Sequence, residues 1–372
     1  MTTTLLFGDL RGGRITDTLD VTGCTWSQVG NDAGSISQVV VPGHEVAKKL
    51  KGVMFTARSF LAVDVDGRLQ EAGPVWSLAW NDEAQTLTIG AAGLWSLFDH
   101  RKVLPALAAG QTVATGGDLG DTTFSGTDLG GIGQALVIQA WNWVGGDLPI
   151  VFPGYNAGDR TETWYGWQLA NVGDQLRQLT KRADNAPDIR FRPDYTADKL
   201  SVQWFYEAGS EDAPLLTQTG DDWYFDQTVE KSPVLNISTD EDGTQMGMRA
   251  WVTGNGSEAD ILMSTAHDPA LIDAGWPLLE VDEADSTITD PGTLDDHSAN
   301  LLQRSARPPV AWKVVVQASA AREVLAGHYA RVIPKTDHAW LPAGETFLRV
   351  ASKSGDLTHK VTLTMYPIED VF

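Results

Sequence analysis

The first quarter of the chain alternates short apolar segments with turns rich in Gly, Asp and Asn. Asp66-Gly67 is a strong signal for a two-residue hairpin turn. A short helix is predicted over residues 44–50. Period-two alternation and β-branched residues predict strands over residues 22–28, 35–41, 60–65, 68–72, 75–80 and 87–90. At least six strands within 90 residues indicate a small antiparallel barrel or sandwich.

The pattern changes in the middle of the chain and becomes β-rich again towards its end. Residues 105–135 are rich in Gly, Ala, Thr and Asp, which favours an irregular connection. A helix is predicted over 167–183, with Leu169, Val172, Leu176 and Leu179 on one face. A second helix is predicted over 293–306. Further strands are predicted at 191–192, 200–206, 311–318, 328–333, 346–352 and 360–366.

These elements predict a mainly β protein with some α structure (α+β) and several domains. Small antiparallel β-barrels are expected at both ends, with a helix-containing middle between them. The predicted divisions are an N-terminal β-barrel domain, an α+β middle domain, an acidic α+β segment and a C-terminal β-barrel domain, at residues 1–103, 104–229, 230–308 and 309–372.

Charge is abundant and unevenly spread. The chain has 27 basic and 49 acidic residues, a net charge of −22. Residues 207–300 contain 21 acidic residues against Lys231 and Arg249. Proteins that bind nucleic acid use Lys and Arg clusters to neutralise phosphates, so specific DNA binding is not expected, whereas passage of DNA without adhesion remains open. No membrane-spanning segment is expected, since the longest uncharged window, 129–146, is interrupted by five glycines. No secretory signal is expected, since the N-terminus lacks a basic region followed by a long apolar one.

No motif for catalysis, a cofactor or a metal is evident. The single cysteine, Cys24, excludes an intramolecular disulfide and a multi-cysteine zinc site. None of the seven histidines forms an H-x-x-x-H pair. The glycines of 254–259 resemble a dinucleotide fingerprint, but a strand is predicted to follow, which favours a turn. Asp221-Asp222 beside Trp223 are residue types of a glycosidase cleft and equally of a surface hairpin. The sequence therefore predicts a protein that is not an enzyme, with no cofactor.

Tryptophan is used generously, at 14 positions. Four of them, Trp141, Trp143, Trp164 and Trp167, lie within 27 residues. Tryptophan is over-represented at the centres of protein interfaces, so these four are candidate interface anchors. Ordinary core filling explains them equally well.

Several stretches together resemble minor tail proteins of actinobacterial siphophages, a group related to the hub at the tail tip of long-tailed phages. The similarity is a pattern of turns and aromatic residues over most of the chain. His328 is a departure, because such proteins often have Asp after the glycine at 327. The stretches that carry the resemblance are Gly23-Cys-Thr-Trp-Ser27, Asn31-Asp-Ala-Gly-Ser35, Gly73-Pro-Val-Trp76, residues 87–96 with His100-Arg101, 186–193, 200–204, Gly275-Trp-Pro-Leu-Leu-Glu280, Thr293-Leu294, 327–332, 348–352 and 361–364.

The resemblance implies a structural role at the tail tip of the virion, after assembly in the host cytoplasm. Such hubs are trimers that close the end of a hexameric tail tube, each subunit supplying two similar tube-type β-barrels. Expected partners are two further copies of the chain, the distal tail protein, the tape measure protein, and other minor tail or receptor-binding proteins. DNA is expected to pass through during ejection without specific binding.

Three alternatives stay open. A distal tail protein would form a hexameric ring beside the tube. A tail-associated cell-wall glycosidase or peptidase would need a carboxylate pair or a metal site. A carbohydrate-binding protein would use exposed tryptophans.

Overall fold

The computed structural model describes residues 2–106, 120–182, 185–285 and 288–368. Residues 107–119, within the predicted irregular connection, and residue 183, the predicted end of the first long helix, lie outside the described residues. The described chain is mainly β with some helices, and thirteen of its strands form one large sheet. Within the described residues, no helix is both long and apolar enough to cross a membrane.

The N-terminal half-sheet comprises the first seven strands. Its helix α1 has the predicted bounds, and the two predicted strands at 68–72 and 75–80 are one continuous strand. Two strands at the start of the chain were not predicted. The elements are β1 (Thr3–Asp9), β2 (Ile15–Leu19), β3 (Gly23–Val29), β4 (Ser35–Pro42), α1 (His44–Leu50), β5 (Ser59–Val65), β6 (Arg68–Asn81), β7 (Thr86–Ala92) and α2 (Trp95–Phe98).

A middle unit of mixed structure follows. Its elements are β8 (Thr122–Thr127), α3 (Leu129–Trp141), β9 (Ile150–Val151), β10 (Ala157–Trp164), α4 (Val172–Leu179), β11 (Ile189–Tyr195) and β12 (Val202–Ala208). Helix α4 is shorter than predicted. Leu169 has a φ of 50° and separates α4 from a 3-10 helix over Gly166–Gln168, so Leu169 is half-exposed and does not share the apolar face of α4.

Helix α3 corrects the expectation of irregular structure up to residue 135. The side chain of Asp128 caps its first turn by accepting a hydrogen bond from the Gly131 amide at 2.7 Å. The glycines permit close packing: a Cβ on Gly130 would lie 2.3 Å from the Gly209 carbonyl, and one on Gly133 would lie 2.5 Å from the Tyr206 hydroxyl. The glycines allow α3 to be buried against β12, and this packing outweighs the poor helix propensity of glycine.

The remaining elements form an acidic unit and the C-terminal half-sheet. The acidic unit is inserted between two strands of that half-sheet. The elements are β13 (Trp223–Asp226), β14 (Val234–Glu241), β15 (Arg249–Thr253), β16 (Met263–His267), α5 (Ala270–Asp273), β17 (Glu280–Ala284), α6 (Pro291–Ser305), β18 (Val310–Gln317), β19 (Tyr329–Ile333), β20 (Thr346–Asp356) and β21 (Lys360–Pro367). The acidic unit is β15 to β17 with α5 and α6.

The two half-sheets repeat one topology. The N-terminal strands lie in the order β3-β4-β7-β6-β5-β1, and the C-terminal strands lie in the order β14-β18-β21-β20-β19-β13. Corresponding strands also follow one another in the same order along the chain. The halves differ at one pairing, since β1 is antiparallel to β5 whereas β13 is parallel to β19.

The predicted closed barrels are not found among the described strands. The sheet is an open path from β2 to β14. β20 explains why it stays open: this long strand pairs with β21 along one edge, and with β19 and then β3 along the other. The C-terminal half-sheet therefore continues into the N-terminal one instead of curling back on itself.

Two large apolar cores hold the molecule together. The first extends through both half-sheets and includes Trp26, Val39, Trp312 and Leu363. The second packs the middle unit, including Trp204, against β1, β5 and β6. The predicted domain limits at 103, 229 and 308 stay a prediction, although β13 and β14, which precede residue 308, pair with strands of the C-terminal half-sheet.

Candidate assembly surfaces

The two half-sheets meet in a joint between β3 and β20, which we call the internal joint. The strands are antiparallel, from Ser352 opposite Val29 to Asp356 opposite Thr25. Within the joint Gly355 lies opposite Trp26, and a Cβ on Gly355 would lie 2.7 Å from the indole ring. A large side chain on one strand thus fills the space left by a glycine on the other.

A buried lysine lies on the same face of the internal joint. The Lys353 ammonium is 5.8 Å from the centroid of the Trp26 ring and donates hydrogen bonds to the carbonyls of Arg322 (3.2 Å) and Val324 (2.9 Å). Its full burial lowers the pKa of Lys353 to about 7. The internal joint is therefore a packed contact in which burying the Lys353 ammonium costs free energy.

The middle unit is fastened to both half-sheets at Asp188. The carboxylate pairs with Arg349 of β20, both side chains being 11% exposed. It also accepts hydrogen bonds from the Asn31 side chain (3.0 Å), in the β3–β4 turn, and from the Leu216 amide (2.7 Å). One carboxylate thereby connects three parts of the chain.

A second ion-pair network lies on β11 and β12. Arg190 and Arg192 contact the Glu207 carboxylate at 2.6 and 2.8 Å, and Arg190 also donates to the carbonyl of Ala326 at 2.8 Å. Burial alone would raise the pKa of Glu207, but the two guanidinium groups outweigh it and hold the pKa below its usual value. These contacts fix the middle unit against the segment before β19.

Glu71 is a buried carboxylate in β6. Its space is provided by glycines: a Cβ on Gly34 would lie 1.9 Å from a carboxylate oxygen, and one on Gly93 would lie 3.0 Å from the other. Burial raises the pKa of Glu71 to about 8, and the single hydrogen bond from the Ala72 amide (2.9 Å) offsets this only in part.

An open apolar groove of about 770 Å³ lies between α1 and the end of β6. Leu78 and Trp80 of β6 form one wall, Phe55 belongs to the lining, and Lys48 and Lys51 also line it. Phe55 and Trp80 are 42% and 39% exposed. Exposed aromatic surface of this kind marks contact sites more often than it marks free surface. We call this feature the α1 groove.

The four predicted anchor tryptophans have different surroundings. Trp164 is buried and donates a hydrogen bond to the Gln175 side chain at 2.7 Å. Trp141 and Trp143 are half-buried and donate to the carbonyls of Leu148 and Leu104. Trp167 is 64% exposed and stacks on Tyr165. Their role as interface anchors stays a prediction, and Trp167 offers the most free surface of the four.

Residues considered for chemistry at the sequence level have structural partners. Burial, with Asp356 nearby, raises the pKa of the Cys24 thiol to about 12. The ring of His328 accepts a hydrogen bond from the Trp223 indole at 3.1 Å, and burial lowers its pKa to about 4, so it is neutral. Asp222 forms an ion pair with Arg331 at 2.9 Å.

No nucleotide or metal site emerges from the described chain. The glycines of 254–259 lie in the turn between β15 and β16, and the helix needed to bind a phosphate does not follow them. Within the described ranges, no group of three or more His, Cys, Asp or Glu side chains is arranged to hold a metal ion.

Sequence reasoning missed the internal joint and the α1 groove. The sequence Lys48-Lys49-Leu50-Lys51 could have indicated a functional surface at the groove, because basic residues are scarce in this chain. Asp188, Arg349 and Lys353 gave no such signal, since their partners are more than twenty residues distant.

Among the solved structures that match this chain, three illustrate the shared fold. The 43 kDa tail protein of prophage MuSo2 from Shewanella oneidensis has a TM-score of 0.56 at 10% identity, covering 99% of each chain. A tail protein from Neisseria meningitidis MC58 has a TM-score of 0.53 at 10% identity, covering 99% of this chain and 97% of that one. The E. coli c3393 protein, a type VI secretion component described as similar to the T4 phage tail proteins gp27 and gp5, has a TM-score of 0.50 at 9% identity, over 94% and 74%.

No protein-family model and no curated protein sequence matches the chain. The three structures show that the fold is similar to that of phage tail proteins and of the c3393 protein. At such identities the likeness concerns the fold alone.

Proposed function

We propose that the chain is a structural protein of the virion, the tail-tip or baseplate hub of a phage with a long non-contractile tail. Three copies form a ring that closes the tail tube and connects it to host-attachment proteins. The repeated topology of the two half-sheets is the observation that carries this proposal. A chain with two equivalent halves can fill six equivalent positions with three copies, which matches a six-fold tube.

The proposed partners follow from this position. They are two further copies of the chain, the distal tail protein, the tape measure protein, and other minor tail or receptor-binding proteins. The protein is assembled in the host cytoplasm and resides at the tail tip of the virion. Its contribution is mechanical, without turnover of a substrate, and the buried Cys24 thiol, which burial keeps protonated, and the ion pair of Asp222 with Arg331 support this.

Passage of DNA through the ring is supported by the charge of the chain. A net charge of −22 repels phosphates and discourages adhesion during ejection. We propose that acids of residues 207–300 face the lumen. Replacing several of them with lysine in the phage is expected to slow genome release, and unchanged release would count against this placement.

The number of copies tests the main proposal. Native mass spectrometry of the purified full chain, together with electron microscopy of the assembled particle, is expected to find a ring of three copies at the tail tip. Six copies would favour the distal tail protein instead. A chain that stays monomeric in solution and is absent from the tail would overturn both.

A further inference from the structure

The two half-sheets also share the position of a shift in strand register. In the N-terminal half-sheet, the β6·β7 register shifts between Val75 and Ser77. In the C-terminal half-sheet, the β20·β21 register shifts between Val350 and Ser352. Residues 77–81 of β6 therefore correspond one by one to residues 352–356 of β20.

The corresponding stretches have different neighbours. Residues 352–355 pair with β21 along one edge. Residues 352–356 pair with β3 along the other edge, which forms the internal joint. Residues 77–81 pair with β7 along one edge, and within the described chain no strand pairs with their other edge. An unpaired strand edge presents main-chain donors and acceptors that readily accept a further strand.

The strand equivalent to β3 is also at an edge. β14 pairs with β18, and its other edge has no strand partner among the described residues. Ile36 of β4 lies opposite Ala91, which pairs with Val75, and Trp312 of β18 lies opposite Met365, which pairs with Val350, so Ile36 and Trp312 are equivalent. Trp26 lies opposite Ile36, and Thr239 lies opposite Trp312. Thr239 thus corresponds to Trp26, and Glu241 corresponds to Gln28.

We propose that the end of β6 in one copy pairs antiparallel with the end of β14 in the next copy, from Ser77 opposite Asp242 to Asn81 opposite Ser238. The internal joint supplies the register. This proposal rests on the ring proposed above and names the contact that closes it. In a three-copy ring, three internal joints alternate with three such joints between copies.

The side chains of the two edges are complementary. In this register Trp80 faces Thr239, so one large aromatic meets a small residue, as Trp26 meets Gly355 in the internal joint. Leu78 faces Glu241, whose side chain then enters the α1 groove. Lys48 and Lys51 line that groove, so the arriving carboxylate meets two cations.

A contact within the internal joint resembles the contact proposed between Glu241 and α1. The segment before β19 corresponds in chain position to α1, and its Ala326 amide donates to the Gln28 side chain at 3.3 Å. Gln28 corresponds to Glu241. A side chain from the joining strand therefore contacts this segment within the chain, as Glu241 is proposed to contact α1 between copies.

Engineered disulfides test the register directly. Ala79→Cys with Asp240→Cys, and Leu78→Cys with Glu241→Cys, sample the two kinds of antiparallel pair that alternate along a ladder. Under mild oxidation of the full chain, at least one double variant is expected to give covalent multimers ending at a closed trimer. Ala79→Cys with Thr16→Cys, at the exposed strand β2, and each single variant are expected to stay mostly monomeric on non-reducing gels.

Charge reversal provides a second measurement. Glu241→Lys is expected to raise the concentration at which half of the chain is assembled at least tenfold. Adding Lys48→Glu and Lys51→Glu restores assembly, whereas Glu241→Lys with Lys49→Glu does not, because Lys49 does not line the groove.

The outcomes separate the two proposals. A three-copy ring without either disulfide, or with the β2 control linking equally well, overturns this joint and leaves the ring intact. Disulfide-linked chains that never close support the joint and overturn the ring. Monomers at every concentration, without covalent multimers, overturn both.

Discussion

The ends of β6 and β20 share a topology and differ in chemistry. β20 presents Lys353 and Gly355 to the internal joint, where Trp26 and main-chain carbonyls complete the contact. β6 presents Leu78 and Trp80 to an open groove. A contact made once during folding tolerates a buried cation, whereas one made between copies benefits from apolar surface with a charged rim. Equivalent positions in a repeat thus serve a permanent and a separable joint.

The largest expected effect comes from breaking the ion pair between Asp188 and Arg349. Arg349→Met leaves the Asp188 carboxylate buried without its cation, and the free energy of unfolding is expected to fall by about 3–5 kcal/mol. Arg331→Met is the matched control, because the guanidinium that pairs with Asp222 and Glu345 is exposed to solvent, and a much smaller loss is expected. Urea unfolding of both variants measures the difference, and equal losses would contradict the assignment.

Lys353 gives the internal joint a pH dependence. Its folded pKa of about 7 lies below the 10.5 of an ordinary lysine, so between these values the unfolded chain binds more protons. Stability is therefore expected to rise as the pH increases from about 7 towards 10.5, by a few kcal/mol at most. Lys353→Met should remove this rise in urea unfolding measured across that range. A slope identical to that of the parent chain would refute the burial argument.

Glu71 gives the N-terminal half-sheet the opposite dependence. Its folded pKa of about 8 exceeds the usual 4.5, so between these values the folded chain binds more protons. Its contribution to stability is expected to fall as the pH rises from about 4.5 to 8. Glu71→Gln should therefore stabilise the protein more at pH 8 than at pH 5, measured by thermal unfolding. Glu45→Gln on exposed α1 serves as the control and should show no such difference.

The smallest effects separate folding from assembly. Gly355→Ala forces a methyl group against Trp26 and is expected to cost about 1–3 kcal/mol in urea unfolding. Trp80→Ala, at the corresponding position of β6, should lower the free energy of unfolding less than Gly355→Ala because the indole is partly exposed, yet weaken assembly in native mass spectrometry. If Trp80→Ala destabilised the chain as much as Gly355→Ala, the two positions would not differ in the way we infer.

The local alternation of apolar and polar residues was sufficient to predict most strands. The alternation in residues 35–41 predicted β4, and the one in 360–366 predicted β21, because one face of each strand meets an apolar core. Helix α3 escaped prediction, since its glycines are explained by Gly209 and Tyr206, which lie more than seventy residues further along the chain. The closed barrels were wrong for a related reason: strand patterns carry no information on which edge meets which.

The functional features also divide into those that the sequence indicated and those that only the fold created. Composition alone indicated an acidic chain, rich in tryptophan and without a recognisable catalytic motif, because such properties belong to residues one at a time. The internal joint, the Asp188–Arg349 pair and the α1 groove arose only with the tertiary structure. Each depends on residues far apart in sequence being brought together by long-range pairing, and a side chain acquires its burial, partner and pKa only when that pairing is complete.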